Sequence, residues 1–183
     1  MDFAMPADLT AYLDELDAFI EAEIRPLELA DDNIRFFDHR REHARTDWDN
    51  QGLPREAWEQ LLKQATRLAD AAGHWRFSAP KKYGGQDGPN LWMAVIREHF
   101  AAKGLGLHND LQNEHSIVGN FPFVEMFEQF GTSEAQKQEF ILGGFEGRRR
   151  TAFGLTEPDH GSDATHMETR GVRETRDGVD GWR

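Results

Sequence analysis

The sequence predicts a mainly α-helical chain: an up-and-down helical bundle over residues 1–147, then the beginning of a β-domain over 148–183. Three observations predict it. Apolar side chains recur at steps of three and four through most of the first 145 residues, the spacing of one helix face. Pro, Ser and Gly stand where those stretches should start and stop. After Arg150 the helical period ends and the charge balance changes: residues 1–145 carry 25 acidic and 14 basic side chains, net −11, and residues 146–183 carry 8 and 7, net −1.

Leu9, Leu13, Leu16, Ile20 and Ile24, widened by Tyr12 and Phe19, form one stripe on a first helix that Asp8 should cap and Pro26 should stop. Nine acidic side chains and one basic one between residues 8 and 32 read as a solvated outer face. Residues 31–52 are polar and irregular, with a short helix expected around 36–44. Pro54 suits the first position of the next helix, Trp58, Leu61, Leu62, Ala65, Leu68, Ala69 and Ala72 keep helical spacing, and Gly73 supplies the stop. The turn-dense run Pro80-Lys81-Lys82-Tyr83-Gly84-Gly85-Gln86-Asp87-Gly88-Pro89 follows.

Asn90 should cap a helix to about Lys103, with Leu91, Ala94, Val95, Glu98 and Ala102 on one side. Ile117, Val118, Phe121, Phe123, Val124, Met126, Phe127 and Phe130 surround the axis of an expected buried helix that Gly131 ends. Ser133 and Gln136 fit a capping box, and the helix they open should stop at Gly143-Gly144. Residues 151–156 read as a short strand, and Val172 and Thr175 precede a turn at residues 177–181. Two strands without a covering layer do not make a stable sheet, so the second domain reads as truncated, with Trp182-Arg183 in mid-strand.

Composition excludes several functions. The 183 residues carry 33 Asp/Glu against 21 Lys/Arg, a formal charge of −12, which opposes nucleic acid and anionic membranes; the one dense basic run is Arg148-Arg149-Arg150, able to steer an anionic cofactor or to serve as a solvated linker. With no cysteine there is no disulfide, thiol nucleophile, iron–sulfur cluster or thiolate zinc site. No run approaches the roughly 20 apolar residues of a membrane span, and no signal peptide opens the chain, so a cytoplasmic protein is expected.

The run Leu155-Thr156-Glu157-Pro158-Asp159-His160-Gly161-Ser162-Asp163 carries the chemistry. A Pro-fixed turn leads to a Gly-Ser pair whose small side chains let amides and a hydroxyl approach a phosphate, although an ordinary Asx/Ser turn has the same composition. This run, from Phe153 through Asp163, resembles the Thr-Glu-Pro-x-x-Gly-Ser-Asp signature of the acyl-CoA dehydrogenases. Pro80 to Gly85 resembles the family's Pro-x-x-Tyr-Gly-Gly, and Phe130-Gly131-Thr132 and Asp177 through Trp182 extend the likeness over essentially the whole chain.

The resemblance implies a helical N-terminal domain, a β-barrel-like middle domain of which residues 148–183 are the start, and FAD as cofactor. Leu155 and Thr156 would then meet the flavin pyrimidine edge, Phe153 would pack near the isoalloxazine, and Gly161 and Ser162 would bond the FAD pyrophosphate. Ser162 would also touch the pantetheine arm of an acyl-CoA substrate, and Glu114 and Val118 would face the acyl chain, Val118 being equally readable as core. The implied reaction is α,β-dehydrogenation of the thioester, with an electron-transfer flavoprotein as electron acceptor and a homo-oligomer at full length. The family's usual base is a Glu of a C-terminal helical domain beyond these residues, so no catalytic residue falls on this chain, and Glu157 sits where the family's Glu is structural. The other readings kept open are an inert helical interaction module and a flavin-dependent oxidase or monooxygenase of the same superfamily.

No metal site is expected. His39-Arg40-Arg41-Glu42-His43 has the H-x-x-E-H form of inverted zincins, which on an α-helix puts both imidazoles on one face, but a charged five-residue pattern reads first as solvated surface. His99, His108 and His115 have irregular spacing and polar neighbours, as hydrogen-bonded structural histidines do. Gly104-Leu105-Gly106 lacks the third glycine of a dinucleotide fingerprint.

Overall fold

The computed structural model describes residues 4–112, 115–130, 133–152 and 154–183. The chain is mainly helical, with two small two-stranded antiparallel sheets and, among the described residues, no closed barrel. It divides into two compact units, Met1–Arg149 and Arg150–Arg183.

In the first unit, helix α1 (Ala7–Phe19) buries Leu9, Tyr12, Leu13 and Leu16, the stripe read from the sequence. Pro6 takes the capping position expected of Asp8; the Asp8 carboxylate instead sits in the first turn, favourable to the helix dipole, and accepts the Leu9 amide at 3.0 Å. The expected stop before Pro26 does not occur. One wide π turn, Ile20–Ile24, lets the Arg25 amide reach back to the Ile20 carbonyl, and the chain continues as α2 (Arg25–Leu29) with Pro26 in its first turn. The wider turn resets the register, so Pro26 falls where a helix start tolerates a missing amide.

The short helix expected around 36–44 is two 3₁₀ stretches, Ala30–Phe37 and His39–Ala44, the first kinked by Asp31 and Asp32 at φ of 49° and 56°. Strands β1 (Thr46–Asp47) and β2 (Leu53–Pro54) pair antiparallel, and Pro54 lies in β2 and does not open the next helix, which begins at Glu56. Helix α3 (Glu56–Ala71) buries Trp58, Leu61, Ala65 and Ala69. Gly73, at φ +83°, ends it as expected: its amide reaches Asp70 O and the His74 amide reaches Ala69 O, the paired bonds of a Schellman motif.

The 80–89 loop is held by close backbone packing. A Cβ at Gly85 would stand 1.9 Å from the Ala79 carbonyl oxygen, so only glycine fits. Tyr83, buried in this loop, hydrogen-bonds through its hydroxyl to Glu128, which Lys82 also reaches at 2.5 Å.

Helix α4 (Asn90–Ala102) follows Pro89 in the capping position, not Asn90. Its buried residues are Met93, Ile96 and Phe100, and of the side read from the sequence only Val95 packs partly against the core, while Leu91, 72% exposed, and Ala94, Glu98 and Ala102 face solvent. Two faces of this helix are apolar, and its packing chose the one with Phe100.

The expected buried helix through Ile117 and Phe121 is a buried loop. Its amides bond across the chain, Ile117 to His108 O and Gly119 to Trp75 O, both at 3.0 Å, which removes them from any local helix. Only α5 (Pro122–Gln129) is helical there, and Gly131 lies outside the described residues.

Ser133 and Gln136 form the full capping box of α6 (Glu134–Lys137). A π turn, Gln138–Leu142, then leads into α7 (Gly143–Phe145), so Gly143 and Gly144 are helical residues and not a stop. A Cβ at Gly144 would meet the Phe123 ring at 2.8 Å, which explains glycine there by packing. One core of buried side chains joins α1, α3, α4, the 107–121 loop and α7, with Trp58, Phe100 and Phe145 its largest members.

In the second unit, β3 (Arg173–Arg176) and β4 (Val179–Trp182) pair in register Arg173↔Trp182 to Arg176↔Val179. Asp177 and Gly178, at φ of 53° and 77°, make the type I′-like connection that this twist favours. Val172, Val179 and Trp182 are half or more exposed, as a hairpin without a covering layer must leave them.

Candidate functional site

The 155–169 segment of the second unit is built by two short-range closures. Glu157 and His160 exchange backbone hydrogen bonds, N to O at 3.1 and 3.2 Å, around the turn at Pro158-Asp159. The Glu157 carboxylate then accepts the Glu168 amide at 2.8 Å, the Thr169 amide at 2.7 Å and the Thr169 hydroxyl. These donors, the Thr169 hydroxyl first, hold its pKa below the ordinary glutamate value. Glu157 is therefore a clasp across eleven and twelve residues, in keeping with a structural role.

A second closure follows. Asp163 accepts the Thr165 amide at 3.1 Å and its hydroxyl at 2.6 Å, and its carbonyl takes the His166 amide at 3.2 Å. The Thr165 hydroxyl, then its amide, lowers the Asp163 pKa. The Glu157 and Asp163 carboxylates are thus engaged within the loop.

Gly161 and Ser162 lie between the His160 end of the first closure and Asp163, and Leu155 and Thr156 lead into the first. Leu155 is half-buried; Thr156, Gly161 and Ser162 are exposed. Among the described residues no hydrogen bond occupies the Thr156 or Ser162 hydroxyl or the Gly161 and Ser162 amides. A Cβ at Gly161 would meet nothing within 4 Å, so packing does not demand glycine there. Exposed amides and a hydroxyl with small side chains are a donor set that fits a diphosphate. The strand expected over 151–156 is absent: among the described residues no neighbouring strand takes its backbone groups, and Phe153 lies outside the described residues.

The remaining candidates belong to the first unit. Val118 is fully buried in its core, its amide bonded to Ser116 Oγ at 3.1 Å, and Glu114 lies outside the described residues. The H-x-x-E-H pattern sits in a 3₁₀ stretch broken at Arg41 (φ −116°, ψ 47°), where residues four apart do not share a face, so the zincin geometry does not form. Ile34, Phe37, Asp38, His39, Arg40 and Arg41 line a cavity of about 460 Å³, but Arg40 pairs with Asp38 and Arg41 with Asp32. His99 bonds Asp17 at 2.7 Å, His108 bonds Phe100 O at 3.2 Å, and His115 accepts the Asn120 amide at 3.1 Å, as structural histidines do. Arg148 and Arg149 pair with Glu146 and Glu139.

Sequence reasoning missed one grouping: His160, His166 and Glu168 place one ligand atom each within 4.8 Å of one another. The spacing H-x₅-H-x-E was the available signal, and it matches no helical repeat because a loop, not a helix, brings it together.

No family model and no solved structure matches the chain. Among curated proteins it is similar to a probable acyl-CoA dehydrogenase of Bacillus subtilis, 33% identical over 112 residues that make 61% of this chain and 17% of that protein. It is 38% identical to a short-chain specific acyl-CoA dehydrogenase of Megasphaera elsdenii over 92 residues, 49% of the chain and 22% of the relative. A subunit of the caffeyl-CoA reductase-Etf complex of Acetobacterium woodii is 29% identical over 100 residues, 55% and 25%. The matched stretch thus spans a quarter or less of each of these relatives. No helix among the described residues is long and apolar enough to cross a membrane.

Proposed function

We propose that this chain is an N-terminal portion of a cytoplasmic FAD-dependent acyl-CoA dehydrogenase, its residues 1–147 the helical domain and 148–183 the start of the barrel-like middle domain. The observation that carries the reading is the 155–169 loop, whose two closures leave the Gly161 and Ser162 amides and the Ser162 hydroxyl without a hydrogen-bond partner among the described residues. The likeness to acyl-CoA dehydrogenases supports it.

In this reading the bound flavin supplies the acceptor for a hydride from the β-carbon of an acyl thioester. The residues of this chain bind and orient. Gly161 and Ser162 hold the diphosphate by hydrogen bonds, Thr156 and the Leu155 backbone meet the pyrimidine edge, and Phe153 packs beside the ring system. Ser162 also reaches the pantetheine arm. The α-proton leaves to a carboxylate outside these residues, so this portion alone does not turn over substrate. The Acetobacterium relative is named as a reductase in an Etf complex, which favours the same α,β chemistry run in either direction with an electron-transfer flavoprotein as partner. At full length the protein assembles as a homo-oligomer.

The test is an absorbance spectrum of the full-length gene product. A flavin spectrum bleached by a series of acyl-CoAs, and flavin content lowered severalfold by Ser162→Ala, is expected; a colourless, fully folded product that takes up no FAD overturns the reading.

A further inference from the structure

We infer that His160, His166 and Glu168 form a binding site for a divalent transition cation of the zinc class. This inference goes beyond the flavin reading and does not rest on it.

The three ligand atoms lie within 4.8 Å of one another, the only such His/Asp/Glu grouping among the described residues. His160 Nε2 is buried without a hydrogen-bond partner and stands 3.8 Å from Glu168 Oε2. A desolvated imidazole nitrogen facing a carboxylate it does not bond is the arrangement an ion between them completes. The His166 ring stacks on that of His160 with centroids 4.3 Å apart. His160 and Glu168 also line a cavity of about 150 Å³, room for an ion with its remaining water.

The backbone under these ligands is fixed on both sides. The Glu157 carboxylate holds the Glu168 amide, the His160 amide bonds Glu157 O, and the Asp163 carbonyl holds the His166 amide. Only side chains need to move. Tetrahedral zinc with bonds of about 2.0–2.2 Å sets its ligand atoms roughly 3.4 Å apart. Rotation of Glu168, whose side chain is 67% exposed, and of the His166 ring out of its stack closes that difference. Two imidazole nitrogens and a carboxylate oxygen suit zinc and its neighbours over magnesium or calcium, and three protein ligands leave one position for water.

The test is calorimetric titration of the chelator-treated, flavin-free 183-residue chain with ZnCl₂, with the visible spectrum of bound Co²⁺ as second readout. Expected are one equivalent of zinc, an intense tetrahedral Co²⁺ spectrum, loss of both in His160→Ala and His166→Ala, and about tenfold weaker binding in Glu168→Gln. His39→Ala with His43→Ala should bind as the unaltered chain does. Zinc uptake that survives His160→Ala and His166→Ala is an adventitious ion only and overturns the site, as does the absence of a tetrahedral Co²⁺ spectrum in the unaltered chain, a result that needs no variant to fold. Because no arm contains flavin, failure here leaves the flavin reading standing.

Discussion

The Glu157 carboxylate accepts the Thr169 amide at 2.7 Å, twelve residues along the chain, and this bond closes the loop that carries Gly161 and Ser162. Because these donors lower its pKa, the clasp is complete above the ordinary glutamate pKa and is lost as pH falls through the lower folded value. The Glu168 and Thr169 amide resonances should therefore titrate with a midpoint below that of a free glutamate. Glu157→Gln should abolish this titration and speed hydrogen exchange at Thr169, and in the full-length protein it should weaken FAD binding severalfold.

Glu28 is buried at 1% exposure, where it accepts the Leu107 amide at 2.7 Å and pairs with Arg25 at 2.6 Å. Glu28→Ala leaves that buried amide without a partner, and a loss of about 2–3 kcal/mol in urea unfolding is expected. Glu28→Gln keeps the acceptor and should lose less.

Gly85 and Gly104 separate two reasons for glycine. Gly85→Ala drives a Cβ into the Ala79 carbonyl and should cost about 3 kcal/mol. Gly104→Ala meets nothing within 4 Å and suffers only from φ +90°, so about 1–2 kcal/mol is expected from the same denaturation measurement.

Burial lowers the pKa values of His74 and His108 and so favours their neutral form in the fold. Their neutral burial contributes fully above the unfolded value of about 6.5 and is lost as pH falls below it, towards the folded values. The urea midpoint should drop between pH 7 and pH 5, and His74→Gln with His108→Gln should flatten that dependence.

Ser133→Ala removes the acceptor that caps the Gln136 amide at 3.3 Å. A loss of about 1 kcal/mol is expected, with Ser133→Asp restoring most of it.

What the sequence determined by itself is what neighbouring residues decide among themselves. The Leu9-to-Ile24 stripe, the Gly73 stop and the Ser133–Gln136 box formed as read, and the turn read over residues 177–181 formed in a tighter version at Asp177-Gly178, with Val179–Trp182 already in the returning strand, because a cap or a tight turn is satisfied within a few residues. The Glu157 turn was legible as a motif for the same reason. Tertiary structure decided the rest. Whether α4 buries Leu91 or Phe100 depends on what packs against it. Ile117 and Gly119 leave the helix that their apolar pattern suggested because His108 O and Trp75 O accept their amides from elsewhere in the chain. Helix propagation through Pro26 needed one wide turn that no residue pattern announces. The meeting of His160, His166 and Glu168 likewise depends on the Glu157 closure, since carboxylate-to-amide bonds spanning eleven and twelve residues leave no periodic trace in sequence.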